Sequence, residues 1–164
     1  MEPAEELRYL VLAVQRDGNR ALAALLRPLD LTPAQAEVIS VLARSPRPLT
    51  VRQVGDQLVC EPGSPSRLVS SLAAAGLIDR SPDPDDARAW TLELSPQGRQ
   101  AATAIRRVEA RFHADLGARI GSQRDAEAAL RVLRRLASDG ASAAALQRRL
   151  TAEAPRTSGT EPQQ

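Results

Sequence analysis

Few residues in this chain could do covalent chemistry. Among 164 residues there is one His, His113, and one Cys, Cys60. A lone His cannot build a histidine metal cluster, and a lone Cys cannot close an intrachain disulfide. There is no Gly-rich phosphate loop, and no Ser-His-Asp arrangement that a single helical His would support. The chain therefore reads as a non-enzyme, with no metal and no cofactor expected. What remains is a constellation of charge, Asp83-Pro84-Asp85-Asp86-Ala87-Arg88. The acidic run has the ligand type of a cation site, but its two prolines mark a turn and Arg88 would repel a cation. An arginine near the tip of a two-stranded projection can instead enter the narrow, electronegative minor groove of DNA. Taken alone, the stretch reads more readily as a surface hairpin whose arginine pairs with Asp86. The residues before it change that balance.

The elements that would hold Arg88 are legible on both sides. Leu77 to Arg80 is a short strand. Pro82 and Pro84 are unsuited to a central ladder. Trp90-Thr91-Leu92-Glu93-Leu94 alternates in character with period two, as a half-buried strand does. Ser95 then reads as a helix N-cap, with Pro96 at the first helical position. Upstream, Thr32-Pro33-Ala34-Gln35 and Thr50-Val51-Arg52-Gln53 are two capping boxes. The first opens a helix running to about Ala43. The second opens a short helix with Val51, Val54 and Leu58 inward. Glu61-Pro62-Gly63 is turn material, Ser64 is a candidate N-cap, and a third helix runs from 64 to 75, closed by Gly76. Its inward residues are Leu68, Val69, Leu72 and Ala75. Ser64, Ser66, Arg67, Ser70 and Ser71 remain on its outer side.

Three helices followed by a two-stranded hairpin make the winged helix-turn-helix pattern. In it the third helix enters the major groove, where small hydroxyls and one Arg permit close approach to phosphates and base edges. Ser64, Ser66, Arg67 and Ser70, with Arg52 on the preceding helix, are the candidate contacts of this part. A solvated serine-rich face is the alternative. The segment Leu31 to Arg99 resembles the MarR family of bacterial transcriptional regulators. The resemblance rests on Leu31-Thr32-Pro33-Ala34-Gln35, Ser66-Arg67-Leu68-Val69 with Leu72, Gly76-Leu77-Ile78-Asp79-Arg80, the Asp83 to Arg88 run, and Leu92 to Arg99. It implies a homodimer with one winged domain per subunit, Arg88 as the minor-groove arginine and Asp86 as the carboxylate that orients it. Ala87, between them, stands where the family often has a basic residue. The resemblance further implies a repressor relieved by a small-molecule effector. Tyr9, Phe112 and His113 are candidates for lining an effector cavity, although ordinary packing suits them too. The alternatives are a regulator without a ligand, or a winged-helix module that binds another protein.

Composition and the flanking helices complete the expected organisation: mainly α with a small β-hairpin. Aromatic content is 2% against 43% hydrophobic residues, so the core must be aliphatic and helical. All 22 basic residues are Arg, and the net charge is +2. Residues 31–98 carry six Arg against eight acids, and residues 99–150 eleven Arg against five. A polyanion reader built on the middle segment must therefore act through local placement of a few arginines. Helices are expected over 4–28, 96–120, 123–138 and 143–150, with a break at Gly18. Residues 1–30 and 99–150 are read as a helical dimerisation region, 31–98 as the winged helix-turn-helix domain, and 151–164 as a disordered tail. No apolar run is long enough to cross a membrane, and the acidic start, with Glu2, Glu5 and Glu6, does not read as a signal peptide. A cytoplasmic protein is expected. Cys60, beside Glu61, reads as an inert small residue rather than a redox sensor. Two-fold symmetry would require a pseudo-palindromic site with half-sites about one helical turn, ~10 bp, apart.

Overall fold

The structure is a computed structural model and describes residues 1–59, 64–83, 89–137 and 139–153. Among the described residues, seven α-helices and three strands follow in the order α1 (Pro3–Leu26), a 3-10 turn (Arg27–Leu29), α2 (Pro33–Arg44), β1 (Leu49–Thr50), α3 (Val51–Gly55), α4 (Pro65–Ala74), β2 (Ile78–Pro82), β3 (Trp90–Leu94), α5 (Pro96–Ile120), α6 (Gln123–Leu136) and α7 (Ala141–Glu153). The mainly α architecture is as expected. The sheet is larger than a hairpin: it has three antiparallel strands in the order β1-β3-β2. Leu49 pairs with Leu92 and Thr50 with Thr91, while β2 pairs with β3 from Ile78–Leu94 to Pro82–Trp90. Strand β2 also runs through Pro82, two residues past the expected end. Pro82 is tolerated because β2 is an edge strand and sits at the free end of its ladder.

Both capping boxes form. Thr32 Oγ1 accepts from the Gln35 amide at 3.2 Å while Gln35 Oε1 accepts from the Thr32 amide at 2.9 Å. Thr50 and Gln53 repeat the exchange at 3.2 and 2.8 Å. Four orphan amides at two helix starts are thereby satisfied. Thr50 thus ends β1 and starts α3 in one residue. Helix α4 closes with Gly76 at φ 70°. The Leu77 amide donates to the Leu72 carbonyl at 2.9 Å and the Gly76 amide to Ala73 at 3.0 Å, a Schellman closure. Ala75, expected inward, is exposed as the C-cap residue of this closure.

The core is aliphatic. Leu26, Val38, Ile39, Val54, Val69, Leu72, Leu92 and Ile105 are its most deeply buried side chains. It joins α2, α3, α4 and the sheet to the end of α1 and the first turns of α5, through Leu26, Ala102 and Ile105. Helix α1 does not break at Gly18. The ring of Phe112 lies 3.9 Å from where a Cβ on that glycine would stand, so Gly18 admits α5 beside α1. Most of α1 is nevertheless exposed; Leu26 is its one buried residue. The apolar stripe of α5 is buried at Ala102 and Ile105 and exposed at Leu116 and Ile120. Helix α7 continues to Glu153, three residues into the stretch read as a tail, and residues 154–164 lie outside the described residues.

Candidate nucleic-acid interface

Helix α4 meets the rest of the fold through Val69 and Leu72, both essentially inaccessible. Three- and four-residue spacing then forces Ser66, Arg67, Ser70 and Ser71 onto the opposite face, and all four are exposed. Ser64 is the N-cap residue, as expected, but its side chain makes no capping hydrogen bond. Its carbonyl instead accepts the Arg67 amide at 2.8 Å. The hydroxyl is thus not committed to the cap. Ser71 is committed elsewhere. It accepts from Gln35 Nε2 at 3.1 Å and donates to the Leu68 carbonyl at 2.9 Å, tying α4 to the start of α2. Arg52 is exposed on α3, thirteen positions before the start of α4. The face shared by Ser64, Ser66, Arg67 and Ser70 is exposed, polar and singly charged, a chemistry suited to a polyanion.

The wing is closed at its base by the Asp83 amide donating to the Ala89 carbonyl at 3.0 Å. Asp86 and Arg88, the candidate minor-groove pair, lie outside the described residues, as does Cys60. What the structure adds is a pair that the pattern did not reveal. The Arg80 guanidinium lies over the Trp90 ring, 5.6 Å from its centroid. Trp90 is 47% exposed rather than packed in the core. It shares a sheet face with Leu92 and Leu94, but stands where the sheet has outrun the core. The two residues are diagonal neighbours across the ladder, so the signal for the pair was the β2–β3 register, which no local pattern supplies.

One junction positions the wing against the helices. Ser95 Oγ accepts the Gly98 amide at 3.0 Å, capping α5, and donates to the Gly76 carbonyl at 2.6 Å. The Ser95 amide also reaches the Leu77 carbonyl at 3.1 Å. A single serine therefore fastens the end of α4, the start of β2 and the start of α5.

Of the candidate effector residues, Phe112 and His113 are ring neighbours on α5, with 6.0 Å between centroids, and Tyr9 lies on α1. Tyr9 is half exposed on α1 beneath the Arg8 guanidinium, 5.2 Å from its ring centroid. Phe112 packs towards Gly18, and His113 is exposed. A cleft of about 250 Å³ lies between the end of α2, β3 and Arg99. Another, of about 350 Å³, lies between Leu7, Val11 and Leu136 of α1 and α6. Neither is lined by Tyr9, Phe112 or His113. Among the described residues no group of three or more His, Cys, Asp or Glu is placed to hold a metal, and no helix is long and apolar enough to cross a membrane.

Helices α2 to α4 and the sheet that follows them define a winged helix-turn-helix protein. Residues 29–89 match the model of the MarR family. The multiple antibiotic resistance protein MarR of Salmonella typhimurium is 30% identical over 92 residues, which are 56% of this chain and 63% of that protein. The chain thus spans somewhat under two thirds of the length of this curated relative. Among solved structures, a mutant MarR from E. coli complexed with operator DNA superposes with a TM-score of 0.71 at 23% identity, covering 80% of this chain and 93% of that one. The S. aureus MepR–DNA complex gives 0.72 at 19% identity, covering 80% and 96%. These two likenesses carry the fold. The likeness to the MarR family is thus carried by the winged-helix segment, residues 29–89.

Proposed function

We propose that the chain is a homodimeric, DNA-binding transcriptional regulator. In each subunit α4 lies in a major groove, presenting Ser64, Ser66, Arg67 and Ser70. Arg52 meets the flanking phosphates, and Arg88, oriented by Asp86, enters the adjacent minor groove. The observation that carries this reading is the exposed, hydroxyl-rich face of α4, held by its buried Val69–Leu72 face in a winged helix-turn-helix. Two structurally similar proteins were crystallised with DNA, which favours the same use of the fold here.

A dimer is supported by apolar surface that this chain leaves uncovered. Leu10 and Val14 of α1 and Leu130, Leu133 and Leu136 of α6 are 43–65% exposed, and a soluble monomer rarely displays so many large apolar side chains on adjoining elements. Residues 1–30 and 99–150 would supply that interface and residues 31–98 the DNA contacts. Two-fold symmetry then sets a pseudo-palindromic site. Repression relieved by a small ligand is the form of regulation we favour, in the cytoplasm where the DNA is. The deciding experiment is a gel-shift titration on duplexes enriched by the purified protein from a random-sequence pool. Arg88→Ala and Arg67→Ala should each weaken binding about tenfold, as expected for a lost guanidinium contact, with the dimer intact by sedimentation. Unchanged affinity in both variants would remove helix and wing from the mechanism and leave a protein-binding module.

A further inference from the structure

Helix α2 carries a buried acid that the DNA-reading face does not use. Glu37 is 7% exposed, on a helix whose buried residues are aliphatic apart from it and Ser40. A carboxylate is kept at such a position only when its oxygens are engaged. Glu37 Oε1 accepts the Val59 amide at 2.9 Å and the Arg149 guanidinium at 2.5 Å. Val59 is on the exit of α3, five residues before the Ser64 N-cap of α4. Arg149 is on α7, 112 positions away in the chain. Its side chain is itself only 19% exposed.

A second bond ties the same two regions. Arg148 Nε donates to the Asp56 carbonyl at 2.7 Å, at the C-cap of α3. Ala145, one turn earlier on α7, is buried. The exit of α3 from Asp56 to Val59 is thus held from outside by consecutive arginines of α7 and from inside by Glu37. Local bonds along the segment are the ordinary ones of a helix end: Gln57 to Val54 at 3.0 Å and Leu58 to Gly55 at 3.2 Å. They fix its curvature but not its distance from α2. Across that gap Val54 and Leu58 share the core with α2, and Glu37 supplies the hydrogen bond to Val59. Helix α7 follows α6 directly, so whatever displaces the terminal helices acts on this exit.

We propose that Glu37 is a positioning residue for the entry into α4, and that α7, through Arg149 and Arg148, clamps it. This rests on the reading of α4 as the DNA-contacting helix. The clamp makes the terminal helices a control on DNA affinity, reached through the backbone before α4 rather than through any residue touching DNA. Glu37→Gln keeps an oxygen acceptor for the Val59 amide but gives up the charge that Arg149 needs. Glu37→Ala gives up both. Arg149→Met keeps the stem's packing and removes the guanidinium.

The test uses full-length protein and two readouts: hydrogen exchange of the peptide spanning 56–59, and titration of a duplex enriched by the wild type from a random-sequence pool. Arg149→Met should raise exchange at 56–59 at least about tenfold while leaving 101–108 in α5 unchanged, and should weaken the duplex at least about fivefold. Arg131→Met, which removes a charge from an exposed site on α6, should do neither. Among the acid variants Glu37→Gln should retain more protection at 56–59 than Glu37→Ala when each is measured relative to 101–108, a local difference that a uniform loss of stability would not give. Exchange at 56–59 unchanged in Arg149→Met would overturn the clamp. Raised exchange with unchanged duplex affinity would overturn the positioning role. A wild-type protein that enriches no duplex would remove the DNA reading itself, and the positioning role with it.

Discussion

Gly98→Ala should destabilise this protein, against the trend for a helix. Gly98 lies in the first turn of α5, where alanine is preferred to glycine by about 1 kcal/mol on propensity alone. Here an added Cβ would stand 2.0 Å from the Leu77 carbonyl oxygen and 3.1 Å from its carbon. Real Cβ contacts stay above 3.0 Å, so the start of α5 would have to retreat by about 1 Å or more. The obstacle is backbone and cannot swing aside. The same carbonyl accepts the Ser95 amide, and Ser95 Oγ bridges Gly98 and Gly76. These three bonds are worth about 1 kcal/mol each, and overpacking of this kind costs about 1–3 kcal/mol. With one of these bonds lost besides the overpacking the cost is about 2–4 kcal/mol, and subtracting the propensity gain leaves a net loss of about 1–3 kcal/mol. Urea unfolding at fixed protein concentration reads it. With a slope of about 2 kcal/mol/M for a chain of this size, the midpoint should fall by about 1 M with the slope unchanged. A midpoint equal to or above the wild type would show that α5 does not press on β2 as described, and would undo the account of how the wing is held.

Two further perturbations address the interface and the helix starts. Val14→Glu places a charge on the most exposed large side chain of α1's apolar stripe, at 65% exposure; sedimentation equilibrium should show the average mass falling towards one chain with helical content retained, and a persisting dimer would exclude this face. Thr50→Ala removes the hydroxyl that accepts the Gln53 amide and should cost about 1 kcal/mol in unfolding free energy, whereas Thr50→Ser should restore most of it; equal losses in both variants would show that the methyl group, not the cap, matters there.

Where local chemistry dictates conformation, the sequence was sufficient. Thr-Pro-x-Gln and Thr-Val-x-Gln satisfy their own amides, so α2 and α3 begin where their side chains say they must. Gly76 and Ser95 mark an end and a beginning for the same reason, and the spacing of Val69 and Leu72 places Ser66, Arg67 and Ser70 outward whatever else surrounds α4. Strand β1 was not legible, because two residues cannot show a period and their pairing with Leu92 and Thr91 is made some forty positions away. Nor was the Arg80–Trp90 pair, which depends on register. Phe112 and His113 are ring neighbours on α5 while Tyr9 stands on α1, a relation between helices that no local pattern supplies.

Glu37 shows the limit most clearly. In the sequence it is one of several polar residues of its helix, indistinguishable from a solvated glutamate. Only the fold brings Val59 and Arg149 to its carboxylate. Caps, closures and outward faces are decided within a few residues, since backbone groups must find partners locally or lose them. Strand pairing, burial of charge and the docking of α7 are decided by residues far apart in the chain. Their energies exist only once the core has formed, and so they belong to the tertiary structure alone.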